Sequence, residues 1–352
     1  MDLLFYLALV PSLGLLAQWI AARTNLPSIL LLLIFGVALG QIVNPDDFIT
    51  QLTEGSPSAG PRLLFPLVAL SVGVIMFEGG LSLRLGELRE SGHAALRLVT
   101  IGAAITFLGV AFAANQLLQF PWRMSMLLGA ILVVTGPTVI GPLLRQVRPS
   151  RRVASALKWE GIVIDPIGAV LAVLVFEQAY LQQGNGGVTD GLTMLLWTSA
   201  VGVVLGVFGG WLMTLVMRKF WLPDTLHGVA ALSTALLLFA VSDQLAHESG
   251  LITVTVMGIW LINQPHADVE HVVELKENLR TLLIGCLFIL LGSRVDMQDV
   301  LAIGWPGLAF LATLILVIRP VSVYLSLIGS SLSWREQTFI AGLAPRGIVA
   351  AA

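Results

Sequence analysis

The sequence predicts an all-helical integral membrane protein, a bundle of apolar helices that crosses the bilayer many times. Hydrophobic residues make up 57% of the 352 residues and charged residues only 11%, whereas a soluble domain carries roughly 25% charged residues. The mean hydropathy is +0.90. Because a soluble protein of this length needs far more polar surface to cover its core, these values argue against a large soluble enzyme.

Twelve apolar runs are predicted to be the membrane helices. A spanning helix needs about 20 apolar residues, and the bilayer accepts only helices and closed barrels because backbone groups find no water there. The runs are too long for barrel strands, so we expect helices at 3–22, 26–43, 62–82, 94–118, 124–144, 153–180, 191–217, 226–246, 249–264, 278–293, 300–330 and 336–352. The first run lacks the basic start and cleavage site of a secretory signal, so it is interpreted as a membrane helix.

Basic residues indicate the orientation of these helices. The connection 145–158 holds the strongest positive cluster and is therefore expected to face the cytoplasm. Counting outward from it, the N-terminus lies outside. The protein is expected in the inner (plasma) membrane of the cell. The chain stops inside the apolar run Gly347–Ala352, so we expect a longer protein with at least one more helix, followed by a possible cytosolic regulatory domain. A net charge of -2 gives no basic footprint, so nucleic acid is not an expected partner.

Two halves of the chain carry similar segments about 210 residues apart. Phe77–Leu88 resembles Leu290–Val300, and Thr135–Thr138 corresponds to Ala344–Gly347. An odd number of helices separates the matched segments, which predicts an inverted repeat of the kind found in secondary transporters. The expected division is a first repeat at about 1–181, a linking helix at about 191–217 and a second repeat at about 226–352.

Proline and glycine are expected to break one helix in each half. Proline removes a backbone donor and clashes with the preceding turn, and glycine loosens the helix further. Two unwound stretches near the midplane would expose carbonyl groups and helix ends that can bind an ion, although two ordinary proline kinks are the alternative. The residues of the predicted breaks are Gly136, Pro137 and Thr138 in the first helix and Pro345, Arg346 and Gly347 in the second.

Asp165 is an acidic residue well inside the sixth predicted helix, about twelve residues from the basic loop. Ionisable residues inside a membrane cost roughly 2.5–3.5 kcal/mol each on insertion scales and are functional candidates by default. Burial favours the protonated form of such an acid, whereas a bound cation favours the ionised form. A site that holds either a proton or a monovalent metal ion, but not both, is all that cation/proton exchange requires.

Arg319 is a second charge in an apolar helix, and arginine cannot lose its proton. Glu160 lies five residues before Asp165 and is rotated off its face, so it is the expected partner of Arg319. Removing one partner of such a pair can cost about 3–5 kcal/mol, so the pair is assigned to the architecture rather than to ion binding. Glu78 ends its helix near the cytoplasmic side, where both a helix-end or interface role and a role in transport stay open. His93 is interpreted as a loop residue, and His247 and Glu248 as solvated residues at the outer end of a helix.

These residues resemble the monovalent cation:proton antiporters, and specifically their sodium/proton exchanger branch. The glutamate-glycine step with an acid five residues from the glutamate appears as Glu160-Gly161 and Asp165. The other matching motifs, in chain order, are Met76–Leu81, Ser249–Leu251, Leu291–Asp296, Arg319-Pro320 and Pro345–Gly347. The resemblance covers essentially the whole chain, and several motifs in the right order are more specific than any one of them.

The resemblance implies a thirteen-helix fold with two inverted six-helix repeats, a homodimer, and an elevator-like motion of a core bundle. It implies that Asp165 is the ion-binding acid, that Thr135 supplies an oxygen nearby, and that Glu160 and Arg319 form a structural pair. Two departures remove polar ligands, because Ile164 and Gly136 stand where the family often has asparagine or aspartate. Potassium is therefore as credible a substrate as sodium, and no cofactor is expected besides the transported cation and proton.

Three other functions are weighed against exchange. A potassium efflux system or channel-like relative, gated by a cytosolic domain, would carry cations without protons. An intramembrane enzyme is disfavoured because the sequence has no metalloprotease or serine-nucleophile motif. A membrane scaffold would leave the charges of Asp165 and Arg319 without a reason.

Overall fold

The computed structural model describes residues 3–24, 26–42, 59–87, 93–178, 188–265 and 270–343. In these residues the regular structure is helical, as predicted. The helices are α1 Leu3–Thr24, α2 Ser28–Gly40, α3 Ala59–Leu81, α4 Ala94–Leu117, α5 Trp122–Val133, α6 Pro137–Val147, α7 Arg151–Phe176, α8 Val188–Arg218, α9 Asp224–Leu245, α10 Ser249–Asn263, α11 Glu270–Ser293, α12 Met297–Thr313 continued by Arg319–Ser326, and α13 Trp334–Gly342.

The described helices match the apolar runs of the sequence. Six of them are long and apolar enough to cross a bilayer, and five further apolar helices are shorter. Together these account for eleven of the twelve predicted runs, which confirms an all-helical membrane bundle. The twelfth run begins as α13, and its last nine residues, 344–352, lie outside the described part of the chain.

The run 124–144 is split into α5 and α6. Val134 and Gly136 have extended backbones, with φ/ψ of -63°/127° and -80°/136°. Pro137 then stands at the first position of α6, where its fixed φ suits a helix and its missing N–H is not needed. The Gly-Pro step therefore ends one helix and begins the next.

Helices α4, α11 and α12 differ in detail from the predicted runs. Two π-helical turns interrupt long helices, Leu98–Gly102 within α4 and Leu314–Ile318 within α12. Gly304 has a φ of 57° and kinks α12 further. Helix α11 starts at Glu270 rather than at the predicted 278, because a polar helical segment precedes its apolar part.

Two sets of helices form separate hydrophobic cores. The buried side chains of α1–α3 and α8–α11 form one large core, and we call these helices the outer unit. We call α4–α7 with α12 and α13 the site unit, whose side chains form three smaller cores. Helix α7 joins the two units, since Trp159 and Ile162 reach into the core of the outer unit.

Candidate functional site

Helix α7 carries both acids on which the sequence analysis depends. Its first turn is capped by Ser150, whose hydroxyl accepts a hydrogen bond from the Val153 N–H at 3.5 Å. Its 26 residues form one continuous helix through Pro166. Glu160 and Asp165 are both buried, with 3% and 1% of their surface exposed. The premise that Asp165 is remote from water therefore agrees with the structure.

Asp165 faces the extended segment between α5 and α6. Gly161, Asp165 and Gly168 are spaced i, i+4 and i+7, so they share one face of α7. The position of a Cβ on Gly161 would be 3.2 Å from the Thr135 carbonyl oxygen, and one on Gly168 would collide with the Val134 side chain. The two glycines thus let the broken segment approach α7 on both sides of Asp165.

Three side-chain oxygens of Asp165 and Thr135 have no hydrogen-bond partner among the described residues. They are both carboxylate oxygens of Asp165 and the hydroxyl of Thr135, and all three are buried. Leaving an ionised carboxylate buried without donors is very costly, so such a group takes up a proton or a cation. The residues present therefore fit a small cation or a proton as the occupant.

Glu160 has the opposite surroundings. Arg319 donates from its two terminal nitrogens to the two carboxylate oxygens of Glu160, at 2.5 and 3.1 Å. Its Nε also donates to the Leu343 carbonyl oxygen at 3.0 Å, at the end of α13. The π turn Leu314–Ile318 ends directly before Arg319. The structure thus brings the predicted pair together and adds a third bond to the end of α13.

A second buried pair is absent from the sequence interpretation. Arg280 of α11 donates from Nη1 to Oε1 of Glu78 at 3.2 Å. Glu78 is 4% exposed, so its interpretation as a helix-end or interface residue is incomplete. The sequence pattern marks Arg280 only as a basic residue flanking an apolar run. The available signal is its position directly before the run Thr281–Ser293.

The other predicted residues are distributed as follows. Pro345, Arg346 and Gly347 lie outside the described residues, as do the side chains of Pro137 and Thr138. His93 and His247 are exposed, as expected for a loop residue and a solvated residue. The expectation that Glu248 is solvated is wrong, because Glu248 is half-buried and its N–H donates to Asp243 at 2.8 Å.

Among the cavities lined by described residues, two flank α6. One of about 600 Å³ lies between α6 and the α1–α2 hairpin, and Val139 and Leu143 line it. The other, of about 500 Å³, lies between α6, α7 and the segment after α3, and Leu144, Arg84 and Lys158 are among its lining residues. Neither lining includes Asp165 or Thr135.

A bundle of apolar helices with an unpaired acid opposite a broken helix defines a multi-pass membrane protein with an interior carboxylate site. The family model described as sodium/hydrogen exchanger, transmembrane, matches residues 9–352. The chain therefore belongs to the sodium/hydrogen exchanger family.

Several characterised proteins are similar to this chain. The K(+)/H(+) antiporter NhaP2 of Shewanella sp. (strain ANA-3) is 27% identical over 347 residues, which are 97% of this chain and 58% of that protein. The Na(+)/H(+) antiporter 1 of Methanocaldococcus jannaschii is 29% identical over 365 residues, covering 99% of this chain and 81% of that protein. The solved structure of the sodium proton antiporter MjNhaP1 from the same organism aligns with a TM-score of 0.83 at 28% identity, over 99% of this chain and 83% of that one. The chain thus spans little more than half the length of the NhaP2 relatives.

Proposed function

We propose that this protein is a secondary transporter that exchanges a monovalent cation, Na⁺ or K⁺, for H⁺ by competition at Asp165. The single observation that carries the proposal is the unpartnered, buried carboxylate of Asp165 opposite the extended segment 134–136. A carboxylate in this position is stable when protonated or when a cation neutralises it. Each ion therefore displaces the other, and the protein needs no enzymatic step or cofactor.

The cation would be held by oxygens from two elements. Asp165 supplies the charge, and Thr135 supplies a hydroxyl from the broken segment. The family membership supports cation/proton exchange in general, whereas Ile164 and Gly136 reduce the number of polar ligands. Hard oxygen ligands in small number do not discriminate strongly between Na⁺ and K⁺, so we propose that either ion is carried.

One unpaired acid also bears on the stoichiometry. Glu160 and Glu78 each have an arginine partner, so neither adds net charge to its surroundings. With Asp165 as the exchanging acid, one proton is carried for each cation and the exchange is electroneutral. Exchange in proteoliposomes is then expected to be independent of an imposed membrane potential.

The remaining properties follow the family resemblance. We propose a homodimer in the inner membrane with the N-terminus outside, two inverted repeats, and broken helices at 134–136 and around Pro345–Gly347. Asp165 becomes accessible from alternate sides of the membrane. A cytosolic domain that follows the membrane helices would regulate the exchange.

The test is a vesicle assay with the full-length protein. Proteoliposomes are given an acid-inside pH gradient that is followed with a fluorescent dye, and Na⁺, K⁺ or Li⁺ is then added outside across a range of pH. Exchange predicts that at least one cation dissipates the gradient, and that protein-free liposomes do not respond. Passive cation flux without proton movement would instead support the channel-like alternative and would contradict the proposal.

A further inference from the structure

The Glu78–Arg280 pair is not among the residues proposed to hold the transported ion. Both residues belong to the outer unit, Glu78 on α3 and Arg280 on α11, with side chains that are 6% and 21% exposed. A buried arginine keeps its charge, and its carboxylate partner fixes the position of the guanidinium group. The pair therefore holds a rigid, planar group at one place on the surface of the outer unit.

The guanidinium group of Arg280 lies in a notch of the site unit, at Gly141 of α6. The Cβ position of Gly141 on α6 would be 2.9 Å from Nη2 and 3.7 Å from Nη1 of Arg280. The guanidinium group thus fills the space that a side chain at 141 would occupy. Gly141 is five residues beyond Gly136, a rise of about 7.5 Å along α6, so the notch lies roughly one and a half turns from the extended segment 134–136.

Helix α6 is the element between the candidate site and the two cavities. Its residue Ile140 is buried against Gly161 of α7, whereas Val139, Leu143 and Leu144 line the cavities on either side. Asp165 is 1% exposed, so an ion reaches it only when the packing around it changes, and the contact between the two units is one place where that change can occur. Ile162 of α7 marks this contact as well, because it packs against Gly79 of α3.

We propose that Arg280, held in place by Glu78, is a positioning residue at the contact between the two units. By resisting the movement of α6 past α11, it sets the rate at which Asp165 becomes accessible. The site unit cannot slide past α11 until the guanidinium group leaves the Gly141 notch, and the ion pair opposes that departure. Packed interfaces switch between discrete arrangements rather than deforming continuously. The inference rests on the proposed function, because it assumes that Asp165 must be opened.

The test measures opening without measuring transport. In a Cys286→Ser background, which removes the one cysteine of these 352 residues, an Ile162→Cys reporter is buried at the contact between the units. Its rate of reaction with N-ethylmaleimide, which crosses liposome membranes, reports how often the contact opens. The double variant Glu78→Gln with Arg280→Gln removes the charges of both partners of this pair. We expect it to raise the labelling rate roughly tenfold, the equivalent of one charge-assisted hydrogen bond.

A matched control and a second variant make the result decisive. Lys158 of α7 and Glu87 in the segment after α3 form another ion pair, at 3.1 Å, but their side chains are 29% and 36% exposed, so Lys158→Gln should leave labelling unchanged. Gly141→Val fills the notch and displaces the guanidinium group without removing a charge, and it should also raise the rate. The proposal is overturned if the folded double variant labels at the wild-type rate, or, where that variant does not fold, if Gly141→Val does. Asp165→Asn, assayed for transport alone, tests the proposed function separately.

Discussion

Glu160 and Asp165 lie five residues apart on α7 and are equally buried, but their surroundings differ. Glu160 meets a guanidinium group with both of its oxygens, whereas neither oxygen of Asp165 has a partner in the described structure. The first arrangement satisfies a charge permanently. The second leaves a charge to be satisfied by whatever ion arrives. Burial alone therefore does not distinguish an architectural acid from an exchanging one, and the hydrogen-bond partners do.

The largest effects are expected when each of the two acids is neutralised in turn, which tests whether their roles differ. Asp165→Asn is expected to abolish cation-dependent proton movement, because an amide cannot carry the proton or balance the cation. Its thermal unfolding midpoint should stay at or above that of the wild type, since a costly buried carboxyl group is removed. Glu160→Gln should instead lower the midpoint, because Arg319 loses its counter-charge. Vesicle fluorescence and thermal unfolding of both variants check this, and a stable, active Asp165→Asn would refute the assignment.

The contribution of the Glu160–Arg319 pair to stability can be tested by removing Arg319. Arg319→Ala leaves Glu160 buried without a counter-charge and also frees the Leu343 carbonyl, so a loss of about 3–5 kcal/mol in unfolding free energy is expected. The matched control is the apolar pair Glu160→Leu with Arg319→Met, which should be much less damaging because no buried charge is stranded. The two are compared by thermal unfolding in detergent. Equal losses would show that the charges of the pair are not what matters.

A smaller effect is expected from the glycine that brings the broken segment against α7. A methyl group at Gly161 meets the Thr135 carbonyl oxygen and the end of Ile140, so Gly161→Ala should cost about 1–3 kcal/mol and weaken apparent cation affinity by displacing Thr135. A methyl group at Gly86 has no neighbour within 4 Å, so Gly86→Ala is the control. If Gly161→Ala keeps the wild-type apparent affinity for the cation, the position of Thr135 does not contribute to cation binding.

The smallest predicted effect concerns Thr135 itself. Thr135→Ala removes one neutral oxygen, and a loss of about 1 kcal/mol corresponds to roughly fivefold weaker apparent cation affinity. Thr135→Ser keeps the hydroxyl and should retain the wild-type affinity. The concentration dependence of cation-driven proton movement measures both variants. An alanine variant with wild-type affinity would remove Thr135 from the ligand set.

The sequence predicted most of what depends on one element at a time. The apolar runs gave the helices, the Gly136-Pro137 step gave the break between α5 and α6, and two charges in apolar helices gave the Glu160–Arg319 pair. What it missed depends on contacts between distant helices. Arg280 resembles any basic residue that flanks a membrane helix, and only the packing of α3, α6 and α11 shows that it meets Glu78 and Gly141.

The π turn before Arg319 was missed for a related reason. A π turn has no strong local signature, because it arises where an inserted residue improves a tertiary contact. Leu314–Ile318 is apolar throughout and is typical of ordinary helix. The second predicted break, at Pro345–Gly347, remains a prediction.

The competition of two ions for one carboxyl group can be measured directly as proton release. Purified protein in weakly buffered detergent solution is titrated with Na⁺ and with K⁺ while the pH of the solution is recorded, starting at a pH at which the site is protonated. We predict that at least one cation releases about one proton per chain, with a midpoint that moves to higher cation concentration as the pH falls, and that Asp165→Asn releases none. Cation binding without proton release, or release that persists in Asp165→Asn, would contradict exchange at Asp165.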